Sequence, residues 1–174
     1  MAFSAADHLG AVDRRLSTVE RDGREVKRLT ITRTYPAGVA DVWDALTDAE
    51  RIPRWFLPIS GELEVGGRFQ LQDNAGGRIL ECQSPRHLAI TWEYGDQISW
   101  VEVSLEEIGA GTRLRLEHDS PVDPEQWAEF GPGAVGIGWE LGLMGLAHHF
   151  TIDEARDPAT TAAWMVGPDG VAFM

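Results

Sequence analysis

The residue types able to do chemistry are few in this chain, and their spacing argues against most of what they could do. His118-Asp119-Ser120 holds the three side chains of a nucleophilic triad. Neighbours on a strand point to opposite faces, so contiguous residues cannot form the relay from Ser to His to Asp. No Gly-x-Ser-x-Gly elbow occurs. Cys82 stands beside Glu81 with no cationic neighbour in sequence, which is not the setting of an activated thiolate, and a buried structural Cys is the expectation. His149 and Asp153 are four apart with His148 adjacent. Zinc needs three or four ligands, and neither Cys pairs nor His-x-x-x-His are present, so an exposed helix end with two histidines near its carbonyl dipole is expected instead. The glycine pairs fall at hairpin turns, not at the strand-to-helix junctions that cradle phosphates.

Seven tryptophans remain, at 43, 55, 92, 100, 127, 139 and 164. Trp43, Trp92 and Trp139 fall on the predicted inner faces of three different elements, and Trp55 sits in the apolar run Arg54-Trp55-Phe56-Leu57-Pro58. A plain aromatic core accounts for any one of them. Together they also suit an apolar cavity with a few polar groups, for which Glu93, His118, Asp119 and the indole donors are the candidates.

These side chains need elements to position them. Residues 1–23 close on the turn pair Asp22-Gly23 and read as a short helix or loose arm. Arg24 to Tyr35 reads as a strand with Leu29, Ile31 and Tyr35 on one face. After Pro36 the period changes: Val39, Val42, Trp43 and Leu46 follow helical spacing, and Asp48 opens a second short helix that Pro53 breaks. From Gly61 to His118 the pattern is β throughout. Strands are predicted over 62–65, 68–73, 78–83, 87–94, 98–108 and 112–118, with Gly66-Gly67 as a hairpin turn. Strands joined by short turns with no helix between them make an antiparallel meander. Glu125-Gln-Trp127 suggests one helical turn in the connection that follows. Ala134 to Phe150 repeats Trp139, Leu143, Leu146 and Phe150 at helical spacing and supplies a long helix to fill the concave sheet. Asp157-Pro158 opens a short helix through Val166.

Length and charge bound the rest. The 174 residues suit one domain, and 43% hydrophobic with 25% charged residues is ordinary for a globular chain. The net charge of −13 is uneven, with ten acids against the single base Arg156 from Glu117 onward. No Lys/Arg cluster is present to release counterions, so nucleic acid and anionic membranes are poor partners. One cysteine and no signal-like or membrane-length apolar run lead to the expectation of a soluble, cytoplasmic protein.

The stretch Pro36-Ala-Gly-Val-Ala-Asp-Val-Trp-Asp-Ala-Leu-Thr-Asp-Ala-Glu-Arg-Ile-Pro-Arg-Trp-Phe56 resembles the first helices of the START-like helix-grip superfamily (SRPBCC). The branch it most resembles is that of homologues of the activator of heat-shock protein 90 ATPase. Val65-Gly-Gly-Arg-Phe69, Pro85-Arg-His-Leu-Ala-Ile-Thr-Trp92, Gly111-Thr-Arg-Leu-Arg-Leu-Glu-His118 and Gly138-Trp-Glu-Leu-Gly-Leu143 follow in the same order. The similarity covers about residues 28–150. It implies an α+β helix-grip fold: a curved antiparallel sheet of about six or seven strands around a long C-terminal helix, with two short helices after the first strand. The expected organisation is an arm over 1–23, the helix-grip domain over 24–150 and an acidic extension over 151–174. The superfamily includes lipid and steroid carriers and polyketide cyclases, while this branch shares no catalytic motif, so no catalytic residue is carried over.

The leading expectation is binding of a hydrophobic or amphipathic small molecule, as a carrier, sensor or stress-related binder. Trp55, Phe56, Phe69, Trp92, Val103, Trp139 and Leu143 would line its site, without metal or cofactor. That reading requires a cavity above roughly 300 Å³, the lower end of ligand pockets. One alternative is a cyclase or hydrolase using a cavity acid or His118 as base, which requires Glu93 or His118 to face inward. Another is an acidic protein-interaction or co-chaperone-like module. A homodimer through an exposed sheet edge is also open.

Overall fold

The computed structural model describes residues 8, 10–122, 133–151, 166–167 and 170–171. In chain order its elements are β1 (Val12–Arg21), β2 (Arg24–Tyr35), α1 (Val39–Thr47), α2 (Ile52–Trp55), β3 (Ile59–Gly61), β4 (Arg68–Leu71), β5 (Gly76–Gln83), β6 (His87–Tyr94), β7 (Gln97–Ile108), β8 (Gly111–Ser120) and α3 (Gly133–Thr151). The strands form one antiparallel sheet in the order β1-β2-β8-β7-β6-β5-β4-β3, and α3 packs in its concave face. This is the helix-grip architecture, with eight strands rather than six or seven. The turn expected near Trp127 and the helix expected from Asp157 lie outside the described residues.

Residues 12–21 correct the expectation of a short helix or loose arm. They form β1, which pairs with β2 from Val12↔Arg33 to Arg21↔Arg24 without a bulge. The turn residues Asp22 (φ 52°) and Gly23 (φ 73°) are both left-handed, the requirement of the two-residue turn that matches strand twist. β1 escapes a period-2 reading because it is an edge strand, exposed over most of its length.

A second correction concerns the strand expected at 62–65. The strand is Ile59–Gly61 instead, paired Ile59↔Leu71 and Gly61↔Phe69. Gly61 (φ 112°) passes so close to β4 that a Cβ there would stand 2.1 Å from the Arg68 carbonyl oxygen. Gly66 and Gly67 belong to the following loop, which folds over to exchange backbone hydrogen bonds with Ile79 at 2.8 and 3.1 Å.

Packing follows the predicted faces. Ile31 and Tyr35 from β2, Val101, Val103 and Leu105 from β7, and Leu114 and Leu116 from β8 are buried together with Val42 and Trp43 of α1. Leu143, Leu146 and Ala147 of α3 close this core, and the buried Tyr35 hydroxyl donates to the Leu143 carbonyl at 3.2 Å. A smaller cluster of Phe69, Leu71 and Ile79 is packed by Leu57 and Leu63, which flank β3.

Candidate functional site

Between the two clusters, α3 and the sheet leave a cavity of about 150 Å³. Its position follows from the elements: α2 brings Trp55 and then Phe56, β4 brings Phe69, β6 Trp92, β7 Val103, and α3 Trp139 and Leu143. The structure places all seven predicted residues on its wall. Leu63, Leu71, Ile79, Leu88, Ile90 and Gly142 join them. Leu88 and Ile90 were legible, since they alternate with Trp92 along β6. Gly142 carried no signal. Its missing side chain lets α3 approach Phe56, whose ring would stand 3.2 Å from a Cβ at that position.

The volume is about half the lower end of ordinary ligand pockets, so the space as it stands takes only a guest smaller than the expectation allowed for. Large aromatic side chains fill the remainder. Trp92 and Trp139 stand 4.9 Å apart, and Trp55 stacks on Phe56 at 5.3 Å. An apolar cavity near this size stays dry and admits a guest about the size of benzene.

Polar groups near the wall are engaged within the protein. The Trp55 indole N–H donates to the Ala45 carbonyl at 2.8 Å, and the Thr47 hydroxyl donates to the Trp43 carbonyl at 2.8 Å. The Trp139 indole N–H donates to His118 Nδ1 at 2.9 Å. His118 Nε2 therefore carries the proton and donates to Ser99 Oγ at 2.8 Å, and Ser99 donates onward to the Trp92 carbonyl at 3.0 Å. Burial lowers the His118 pKa to about 4, against a smaller opposing pull from Asp119. A neutral imidazole with both nitrogens engaged is a poor general base.

The other acid–base candidates face away. Glu93 is held on the outer surface by Arg68 at 2.5 Å and by the Thr91 hydroxyl at 3.0 Å, and the Arg68 bond keeps its pKa below the usual range. Asp119 points opposite to His118, as strand alternation requires, but only 2% of it is exposed. Burial works to raise its pKa, yet Arg28 (2.6 and 2.7 Å) and Arg21 (2.8 Å) outweigh this and hold it low. Ser120 lies at the far end of β8, paired with Lys27, so the triad letters do not assemble.

Two single-residue expectations need correction. Cys82 is exposed rather than buried, and because it also belongs to the cavity wall it marks an opening. The register shift between Ile79 and Glu81 sets Cys82 opposite Leu88, so the bulge brings the thiol onto the cavity side of β5, at its rim. His149 is buried, not exposed at a helix end, and lies 3.1 Å from the Arg51 guanidinium. Asp153 is outside the described residues. Among the described residues no group of three His, Cys, Asp or Glu could hold a metal ion, and no helix is long and apolar enough to cross a membrane.

A polar cluster that sequence spacing could not reveal joins α3 to the N-terminal segment. Glu140, buried on α3, takes Arg14 on both carboxylate oxygens, and its Oε2 lies 2.9 Å from His8 Nε2. The partners are 126 and 132 residues apart.

A family model described as Activator of Hsp90 ATPase homolog 1-like protein matches residues 36–151. No curated protein matches the chain. Among solved structures, crystalline CalU16 from Micromonospora echinospora is 36% identical over 94% of this chain and 96% of that one, with a TM-score of 0.71. The solution structure of CalU16 gives 0.78. PFC0360w, an HSP90 activator from Plasmodium falciparum, is 20% identical over 75% of this chain and 99% of that one, with a TM-score of 0.61. At that identity the likeness is one of fold alone.

Proposed function

Since this chain belongs to the Activator of Hsp90 ATPase homolog 1-like family, we propose that it binds a small hydrophobic molecule in the cavity between α3 and the sheet. The single observation that carries this reading is the cavity wall, built almost wholly of aliphatic and aromatic side chains from nine elements. Burying apolar ligand surface there yields about 25 cal/mol per Å². In the arrangement described, a guest near the size of benzene fits. A longer amphipathic ligand needs α3 to part from Phe56 at Gly142, leaving its polar end near Cys82.

Acid–base catalysis draws no support from Glu93 or His118, for the reasons of direction and pKa given above. Activation of a chaperone ATPase is a property of other proteins on this fold, and fold likeness alone does not transfer it.

The test is native mass spectrometry with solvent extraction and gas chromatography of the protein purified from its own cells. A Val103→Phe variant, which fills the cavity, serves as control. A co-purifying apolar molecule present on the parent and lost from the variant is expected. The same molecule on both, or on neither after the parent is offered benzene and short alkanes, overturns the reading.

A further inference from the structure

β1 is the outermost strand of the sheet, and among the described residues nothing pairs with its outer edge. The turn fixes which backbone groups that edge presents. Arg21 and Arg24 close a two-residue hairpin, so the N–H and C=O of Arg21 bond to β2. With no bulge along β1, the odd residues back to Asp13 do the same. The even residues Val12, Arg14, Leu16, Thr18 and Glu20 therefore turn their N–H and C=O outward. The Val12 carbonyl confirms this parity, since it accepts the Arg14 guanidinium at 2.8 Å rather than a strand partner.

From this edge we infer that two copies of the chain pair antiparallel through β1, about a two-fold axis at Ser17. Two strands can exchange hydrogen bonds only where both present outward groups, so even residues must oppose even residues, and the axis must pass through a residue rather than between two. Charge then selects among the permitted registers. An axis at Arg15 sets that arginine against its own copy, and one at Thr18 sets Arg15 against Arg21 of the other copy. An axis at Leu16 opposes no opposite charges. The axis at Ser17 sets Asp13 against Arg21 on the convex face and Arg14 against Glu20 on the concave face, each twice by symmetry. Each arginine, already held within its own chain by Asp119 or Glu140, thereby gains a further carboxylate nearby. Opposite charges across strands are favourable and like charges are not.

Two further observations fit this register. Among the described residues neither Asp13 nor Glu20 has an ion-pair partner within its own chain. Leu16, 44% exposed, comes diagonally against its copy and loses part of its contact with water. The pairing adds about eight backbone hydrogen bonds and joins the two sheets into one.

The partner is thus a second copy of this chain, tested by sedimentation equilibrium across roughly 1–100 µM protein. The expected mass is twice 19.2 kDa. Asp13→Lys with Glu20→Lys is expected to weaken association roughly tenfold by turning four attractions into repulsions. Thr18→Pro removes an outward N–H without touching the β1–β2 ladder and is expected to give a monomer. In the parent dimer the amides of Arg14, Leu16, Thr18 and Glu20 should exchange slowly with deuterated water. A single-chain mass throughout the range, or a dimer in which those four amides exchange freely, overturns the inference. If circular dichroism shows Thr18→Pro to be unfolded, the charge variant and the amide pattern decide between the same two outcomes.

Discussion

Trp139 on α3 donates its indole N–H to His118 Nδ1 on β8 at 2.9 Å, a side-chain hydrogen bond that joins helix and sheet beside the cavity. It also selects the His118 tautomer and orders the path through Ser99 to the Trp92 carbonyl.

Trp139→Phe keeps a ring against Trp92 but leaves Nδ1 of a buried imidazole without its donor. The expected cost is about 1–3 kcal/mol in urea unfolding, the penalty of an unmet buried polar group. Because the lost bond favours neutral His118, the pKa of His118 should rise in a proton NMR titration. A stability loss with an unmoved pKa would show that packing alone is at stake.

His118 itself predicts an acid dependence. Its folded pKa of about 4 lies below the ordinary histidine value of 6.5, so the unfolded chain binds the proton more readily. The contribution is therefore complete above pH 6.5, falls as the pH drops toward 4, and is flat below that. The span corresponds to about 3 kcal/mol. His118→Gln should remove this slope while leaving the losses from Asp119 and Glu140, whose lowered carboxyl pKa values place them at more acid pH. Denaturant midpoints measured from pH 7 to 4 on both proteins separate the two.

Arg28 grips both oxygens of Asp119, and Arg21 adds a third bond while stacking over Trp100 at 4.9 Å. Arg28→Ala leaves a carboxylate that is 2% exposed with one cation. A loss of about 2–4 kcal/mol is expected, less than for a wholly unpaired buried charge because Arg21 remains. Arg28→Ala combined with Asp119→Ala should recover part of it, which urea unfolding of the three variants reads directly.

Glu140 ties α3 to Arg14 and His8, so a cycle of Arg14→Ala and Glu140→Ala should show a coupling of about 1–3 kcal/mol. Amide exchange should quicken over Val12–Arg21 in Glu140→Ala. Coupling near zero would mean that β1 is held by β2 alone.

Periodicity made most of the fold legible. Val42 and Trp43 on α1, Val101, Val103 and Leu105 on β7, and Leu143 on α3 are buried as their spacing requires. The opposite directions of His118 and Asp119 were legible for the same reason. What failed depends on contacts distant in sequence or on local geometry. β1 hides because an edge strand has no buried face to pattern. Cys82 lies past a bulge that breaks the alternation. The link from Glu140 to His8 spans 132 residues and leaves no local trace. The wall residues could be named from bulk and face, but the cavity volume could not, because it is the small remainder after large rings have packed.

The order of strands also bears on how the chain is made. β2 pairs with β8, Lys27 against Ser120, although the first hairpin is synthesised long before that partner exists. At about 5–20 residues per second the inner edge of β2 waits several seconds outside the ribosome. Leu29, Ile31 and Tyr35 stay uncovered meanwhile. The newborn chain is thus a sticky hairpin first and a folded protein only after β8 emerges, which makes early translation the interval when holding factors matter most.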